Sequence, residues 1–168
     1  MGDGTAVDKA NPVPVSTTER FVSIAAGQAH TCAVTERGDT FCWGQNRYGQ
    51  LGTGAGGDNP VPARVELSAA LESITAGQSH TCARARDGRG WCWGRNIYGQ
   101  LGDGTTEDRN RPTTVRGVAA FTALSASGAH TCGAGGGDTY CWGYNIDGQL
   151  GVGDRENAAS PGRVGGAR

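Results

Sequence analysis

Lysine is almost missing from this chain. Lys9 is the only one in 168 residues, and arginine supplies the other 14 of 15 basic side chains. Acidic residues number 16, so the formal net charge is −1, and the basic residues form no cluster. Such a chain offers a nucleic-acid backbone or an anionic membrane surface no electrostatic purchase. The arginine excess reads as genomic composition bias. No apolar run approaches the length of a membrane span, so membrane insertion is not expected, and no signal peptide is read at the start. Aromatics make up 7% and hydrophobic residues 36%, so a core must be assembled from small side chains around a few tryptophans. No window shows sustained helical spacing and no C-x-x-C pair occurs.

Glycine is abundant instead, at 30 residues, and it belongs to a repeat. The string H-T-C-x9-C-W-G-x-N-x-x-G-Q-L-G occurs twice, and a third time with one residue removed. His30, His80 and His130 stand 50 residues apart, as do Cys32, Cys82 and Cys132. A period of this size marks stacked modules that cannot bury a core alone. Before each histidine lies a short stretch with strand alternation, Phe21 to Ala26, Leu71 to Ala76 and Phe121 to Ala126. After each core comes an extended piece opened by Pro60, Pro112 or Pro161, which suits an outer strand because proline cannot donate to a ladder. Each module therefore reads as four short strands.

The cysteines test that reading. If Cys32 and Cys42 face each other across a hairpin, the loop is Glu36-Arg37-Gly38; for Cys82 and Cys92 it is Arg86-Asp87-Gly88. Both are three-residue loops ending in glycine, which fits a type I turn closed by a left-handed residue. Between Cys132 and Cys141 one residue fewer leaves Gly136-Gly137, a two-residue loop suited to a primed turn. Opposed cysteines on such hairpins are close enough for disulfides Cys32–Cys42, Cys82–Cys92 and Cys132–Cys141. Zinc is the sharp alternative, but histidine and two cysteines give three ligands per module where closed structural sites have four; free buried thiols are the other. Paired cysteines imply an oxidising compartment, extracellular, periplasmic or cell-surface, with any export signal removed or carried by a longer precursor.

The first residues repeat a later segment. Met1-Gly2-Asp3-Gly4-Thr5 lines up with Leu101-Gly102-Asp103-Gly104-Thr105, and Pro12 falls on Pro112. The expected organisation is a tail strand of a preceding module over 1–20, then repeats over 21–69, 70–119 and 120–168, all in one domain.

These residues resemble the regulator of chromosome condensation repeat family. Its repeats carry G-x-x-H-T/S-x-A before the hairpin and W-G-x-N-x-x-G-Q-L-G-x-G after it. The matching segments are Gly27 to Ala33 with Trp43 to Gly52, Gly77 to Ala83 with Trp93 to Gly102, and Gly128 to Gly133 with Trp142 to Gly151. The third copy departs at its entry, with Ser127 where Gly27 and Gly77 stand and Gly133 replacing Ala33. The resemblance implies an all-β fold, a β-propeller of four-stranded antiparallel blades, with three repeats here. It does not imply one function, since relatives range from a nucleotide-exchange factor to an exported bacterial inhibitor. The cysteine pair in each blade looks like the exported bacterial branch.

Threefold repetition governs the candidate sites, because chemistry usually sits in one place. His30, His80 and His130 read as module builders hydrogen-bonded to backbone, so no catalytic residue is named. Trp43, Trp93 and Trp142 are expected to pack between blades, with Trp91 in the core beside them. Asn46, Asn96 and Asn145 should hold the turn after the hairpin. The acidic stretch Asp103 to Asp108 lacks the spacing of a calcium loop, Gly133 to Gly137 reads as a permissive hairpin, and no metal or cofactor is implied. Function should sit where modules differ, in the turn slots Gln45/Arg95/Tyr144, Arg47/Ile97/Ile146 and Tyr48/Tyr98/Asp147. The expectation is a non-enzymatic scaffold binding a protein partner through those residues. A carbohydrate-binding propeller is the alternative, and a hydrolase or lyase with a site at the ring centre a more remote one. Neither end carries a polar cap, so self-association is expected, most simply a dimer closing a six-blade ring.

Overall fold

A computed structural model describes residues 2–165. Met1 and residues 166–168, the outer ends of the expected tail and third repeat, lie outside the described residues. The strands are β1 (Phe21–Ala26), β2 (His30–Thr35), β3 (Thr40–Gly44), β4 (Asn59–Val65), β5 (Leu71–Ala76), β6 (His80–Ala85), β7 (Gly90–Gly94), β8 (Arg109–Thr114), β9 (Ala123–Ser127), β10 (His130–Gly135), β11 (Asp138–Gly143) and β12 (Ala158–Arg163). They form three four-stranded antiparallel sheets in chain order, β1–β4, β5–β8 and β9–β12. These are propeller blades, and successive blades stack through β1 on β5 and β5 on β9.

The hairpins form as the cysteine spacing predicts. Cys32 lies opposite Cys42, Cys82 opposite Cys92 and Cys132 opposite Cys141. All three pairs are disulfides, with Cα atoms 4.1 Å apart. Thr35 donates its N–H to Asp39 O across the first loop, and Gly38 closes it at φ 91°. In the third hairpin Gly136 and Gly137 both take positive φ, the signature of a type I′ turn.

Three details differ from expectation. Residues 2–20, read as the tail strand of a preceding module, form no strand. Pro112 and Pro161 do not open their strands but sit inside β8 and β12. The ladder pairs Gly94 with Arg109 and Cys92 with Thr113, so Asn110 to Pro112 lie in a bulge where no amide donor is needed. The third entry strand also starts at Ala123 rather than Phe121. There the Phe121 ring lies over Gly133, where a Cβ would come within 2.7 Å of it. Glycine in place of alanine makes room for this fully buried ring. At Ser127 the strand continues regularly into its hairpin, with Ser127 paired to His130.

The core lies between blades. Cys32, Val34, Leu51 and Trp93 belong to one buried cluster, and Cys82, Leu101, Phe121 and Trp142 to the next. Trp91 packs half-buried against the first cluster. A glycine supports each tryptophan from the preceding segment. A Cβ on Gly52 would stand 2.7 Å from Trp93 Nε1, one on Gly102 2.7 Å from Trp142 Nε1, and one on Gly2 2.6 Å from Trp43 Nε1. Gly2 thus takes on Trp43 the place that Gly52 takes on Trp93. Asp3 likewise binds Thr5 as Asp103 binds Thr105.

Candidate functional site

The turn after each tryptophan is held rigid from within. The buried Asn46 donates through Nδ2 to Ala55 O at 2.8 Å and accepts from Leu51 N–H at 3.0 Å. Asn96 and Asn145 do the same with Thr105 O and Leu101, and with Asp154 O and Leu150. Gln50, Gln100 and Gln149 each accept the amide of the residue two before, Tyr48, Tyr98 and Asp147. With the interior of the turn saturated, its outward side chains are displayed on a fixed frame. The slot before the asparagine is tied to the adjacent loop: Gln45, Arg95 and Tyr144 donate their amides to Ala29 O, Ser79 O and Ala129 O.

The variable slots meet in pairs, offset by one blade. The Arg95 guanidinium lies 4.7 Å from the Tyr48 ring centroid, and that of Arg47 lies 5.6 Å from the same ring. One blade further on, Tyr98 and Tyr144 are 4.8 Å apart, tilted by 58°. The middle slot holds Ile97 and Ile146 on the second and third blades, 45% and 57% exposed. The structure therefore brings Arg47, Tyr48, Arg95, Tyr98 and Tyr144 into two groups, guanidinium groups over one ring and a tilted ring pair. Gln45 and Asp147 stand at the two ends without a stacking partner. Sequence reasoning missed the cleft beside Tyr48, whose lining includes Arg109 and Arg111 from β8; nothing in the repeat pattern marks it.

The histidines do something other than expected. His30 Nε2 lies 2.9 Å from Thr81 Oγ1, and His80 Nε2 lies 2.9 Å from Thr131 Oγ1, each on the following blade. The partner is a threonine hydroxyl across the interface, not backbone. Each threonine in turn donates to a carbonyl of the earlier blade, Thr81 to Gln50 O and Thr131 to Gln100 O, both at 2.9 Å. A hydroxyl has one proton, so histidine must supply Nε2–H. Trp93 Nε1 and Trp142 Nε1 donate to the same two carbonyls at 3.0 Å. Burial lowers the His30 pKa to about 4 and, with repulsion from His30 and His130, the His80 pKa to about 3. These imidazoles are neutral braces between blades and poor bases at neutral pH.

The acidic stretch is a satisfied turn. Asp103 Oδ1 accepts from Thr105 N–H and Oγ1–H, and Oδ2 accepts from Arg109 Nε at 2.9 Å. Burial pushes its carboxyl up, but these hydrogen bonds outweigh that and hold it below the usual carboxylate range. Arginine thus occupies the place a cation would need. All six cysteines are in disulfides, which removes the zinc alternative. Among the described residues no group of three or more His, Cys, Asp or Glu could hold a metal ion.

Comparison with known proteins follows the same residues. The family model described as regulator of chromosome condensation (RCC1) repeat matches residues 37–84, 87–134 and 136–168, and a second model of that description matches 21–50 and 72–100. The ultraviolet-B receptor UVR8 of Arabidopsis thaliana is 41% identical over 56 residues, 32% of this chain and 13% of the receptor. The probable E3 ubiquitin-protein ligase HERC4 of Homo sapiens is 49% identical over 35 residues, 21% of this chain and 3% of the ligase. Among solved structures, human WBSCR16 superposes with a TM-score of 0.80 at 21% identity, covering 90% of this chain and 42% of that one. Prp20p from Saccharomyces cerevisiae, described with its binding to Gsp1p and histones, gives 0.78 at 25% identity, covering 86% and 38%. This chain spans well under half the length of each of these relatives.

Proposed function

The chain belongs to the RCC1 repeat family, and from that premise we propose that it is a non-enzymatic propeller scaffold that binds a protein partner. Its recognition surface is the end of the blades carrying Gln45, Arg47, Tyr48, Arg95, Ile97, Tyr98, Tyr144, Ile146 and Asp147. The observation behind this reading is the offset stacking, Arg95 on Tyr48 and Tyr98 against Tyr144. These two contacts involve side chains from three blades. Aromatic and arginine side chains held in place lose little freedom on binding, and they are the residue types that anchor interfaces. Prp20p, which shares the fold, is described with protein partners, which supports a protein ligand here.

The setting we propose is exported, as in bacterial relatives of this kind, because three disulfides suit an oxidising compartment. The flanks support association with further blades. Ile24 on the first blade is 63% exposed, whereas its equivalent Ile74 is 8% exposed beneath the preceding blade. A covering blade, from a second copy or from the same polypeptide, would also meet Gly2 already seated on Trp43. Sedimentation equilibrium at micromolar concentration tests association; a stable 17.2 kDa monomer rejects it. Affinity capture from a cell-surface extract tests the face, with the captured protein purified and its binding measured again by calorimetry. Arg95→Ala with Tyr98→Ala should abolish capture, and unchanged binding excludes this face.

A further inference from the structure

The proposed face has a chemical direction, set by arginines that have no acidic partner. The described residues form seven ion pairs, and Arg47, Arg95 and Arg111 take part in none of them. Arg47 and Arg95 share the Tyr48 ring. Arg95 Nε is buried and lacks a hydrogen-bond partner. Tyr48 is one wall of a cleft of about 460 Å³ that Arg47, Arg109 and Arg111 also line. Arg111 lies across Gly54, where a Cβ would touch its guanidinium.

Two of the charged groups in the cleft are already engaged. Arg109 is bound to Asp103 at 2.9 Å and Glu107 at 3.3 Å. Asp108, the carboxylate on the cleft wall, accepts the Asn96 amide at 2.7 Å. Two unpaired guanidinium groups in the cleft, Arg47 and Arg111, with Arg95 over the Tyr48 ring, thus stand beside a single, partly engaged carboxylate. In a chain of net charge −1 this is a local concentration of positive charge. The turns that carry Tyr98 and Tyr144 also carry the exposed Ile97 and Ile146.

Resting on the docking-face reading above, we infer that the partner presents carboxylate side chains to the Arg47, Arg95 and Arg111 end and apolar side chains to Ile97 and Ile146. A guanidinium stacked on an aromatic ring keeps its in-plane N–H groups free and its orientation fixed. That geometry matches a carboxylate, which can accept two parallel hydrogen bonds from one fork. Arg47 and Arg111, both at exposed positions, offer the guanidinium donors such a carboxylate would engage. The isoleucines add a contact with no charge requirement, so the two halves of the face are separable by experiment.

The probe is the acetylated, amidated hexapeptide Glu-Glu-Gly-Leu-Gly-Leu, with a Gln-Gln counterpart as control. Binding to the intact chain is followed by calorimetry, and by NMR of the arginine Nε–H and isoleucine methyl signals. The Glu peptide should move the signals of Arg47, Arg95 and Ile146 and weaken as salt rises. The Gln peptide should bind at least about tenfold more weakly. Arg47→Ala and Arg111→Ala, both at exposed positions, should each reduce the Glu preference, while Ile146→Ala weakens both peptides and leaves the preference intact. Equal binding of the two peptides, or no saturable binding of the Glu peptide at millimolar concentration, overturns the inference. If in either case Arg95→Ala with Tyr98→Ala still abolishes natural capture, the docking face survives and its acidic preference alone falls.

Discussion

The brace between blades can be tested at one hydroxyl. Thr131 is fully buried and carries two bonds, accepting from His80 Nε2 and donating to Gln100 O, each 2.9 Å long. Thr131→Val keeps the shape and removes both. Gln100 O retains Trp142 Nε1 at 3.0 Å, so the group left without a partner is the His80 N–H, at a site with no solvent access. An orphaned buried donor costs about 1–3 kcal/mol, and the new methyl returns about 0.8 kcal/mol at most. The net loss should be roughly 1–2 kcal/mol, which for a domain of this size lowers Tm by roughly 2–8 °C. Thr31, half-buried on the first blade, accepts from no histidine among the described residues. Thr31→Val is therefore the matched control, with a change inside about ±0.5 kcal/mol. Circular dichroism melts of both variants, disulfides intact, give the comparison. Equal destabilisation by the two substitutions refutes the brace. So does an imidazole nitrogen spectrum showing His80 protonated at Nδ1, because the brace requires the Nε2–H form.

Three further outcomes follow from burial and close contact. His30 and His80 have pKa values lowered by desolvation to about 4 and about 3. Their neutral forms therefore support the fold fully above pH 6.5, and that support is lost as pH falls from 6.5 toward 4 and 3. Unfolding free energies from urea titrations across this window should fall at up to about 1.4 kcal/mol per pH unit for each histidine, and a flat profile would contradict their burial. Cys132 is half-buried whereas Cys32, Cys42, Cys82 and Cys92 are 0% exposed, so limiting reductant should open Cys132–Cys141 first, as read by alkylation and mass spectrometry. Gly52→Ala places a Cβ 2.7 Å from Trp93 Nε1 at φ 70°, while Gly153→Ala meets open space at φ 94°. Both bear a backbone penalty of about 1–2 kcal/mol, and the excess loss in Gly52→Ala measures the cost of moving the tryptophan.

Much of this architecture was readable because the repeat supplies its own controls. A single missing residue between Cys132 and Cys141 changed the loop type and kept the cysteines opposite, which fixed strand, register and disulfide together. The outer strands were placed less accurately, because proline was read as a strand opener. Bulges opposite Trp43, Trp93 and Trp142 absorb the prolines instead, and a bulge has no one-dimensional signature. The histidine partner was missed for a different reason. It lies 51 residues away across an interface, and a pattern confined to one module points to contacts within it. The signal was nonetheless present, since a threonine follows every histidine of the repeat: Thr31, Thr81 and Thr131. The variable slots were found by contrast between copies, but their pairing was not, because Tyr48 meets Arg95 from the next blade rather than Gln45 from its own.

That offset explains how such a scaffold separates stability from recognition. Every contact that joins blades runs from one module to the next. In the interior the letters repeat, with His30 to Thr81 and His80 to Thr131, Gln50 to Trp93 and Gln100 to Trp142. At the face the geometry repeats while the letters change, with arginine on tyrosine at one junction and tyrosine on tyrosine at the next. The face residues rest on turns whose amides are already satisfied by Asn46, Gln50 and their equivalents. Apart from Gln45, whose Oε1 accepts from the buried Gln50 Nε2 at 3.5 Å, substituting them breaks no side-chain hydrogen bond of a buried group among the described residues, so such changes should fall within the small range of surface mutations. Exchanging Arg95 for tyrosine would convert the first junction into a copy of the second. Binding would then change while the histidine–threonine brace, and with it the melting temperature, stayed where it was.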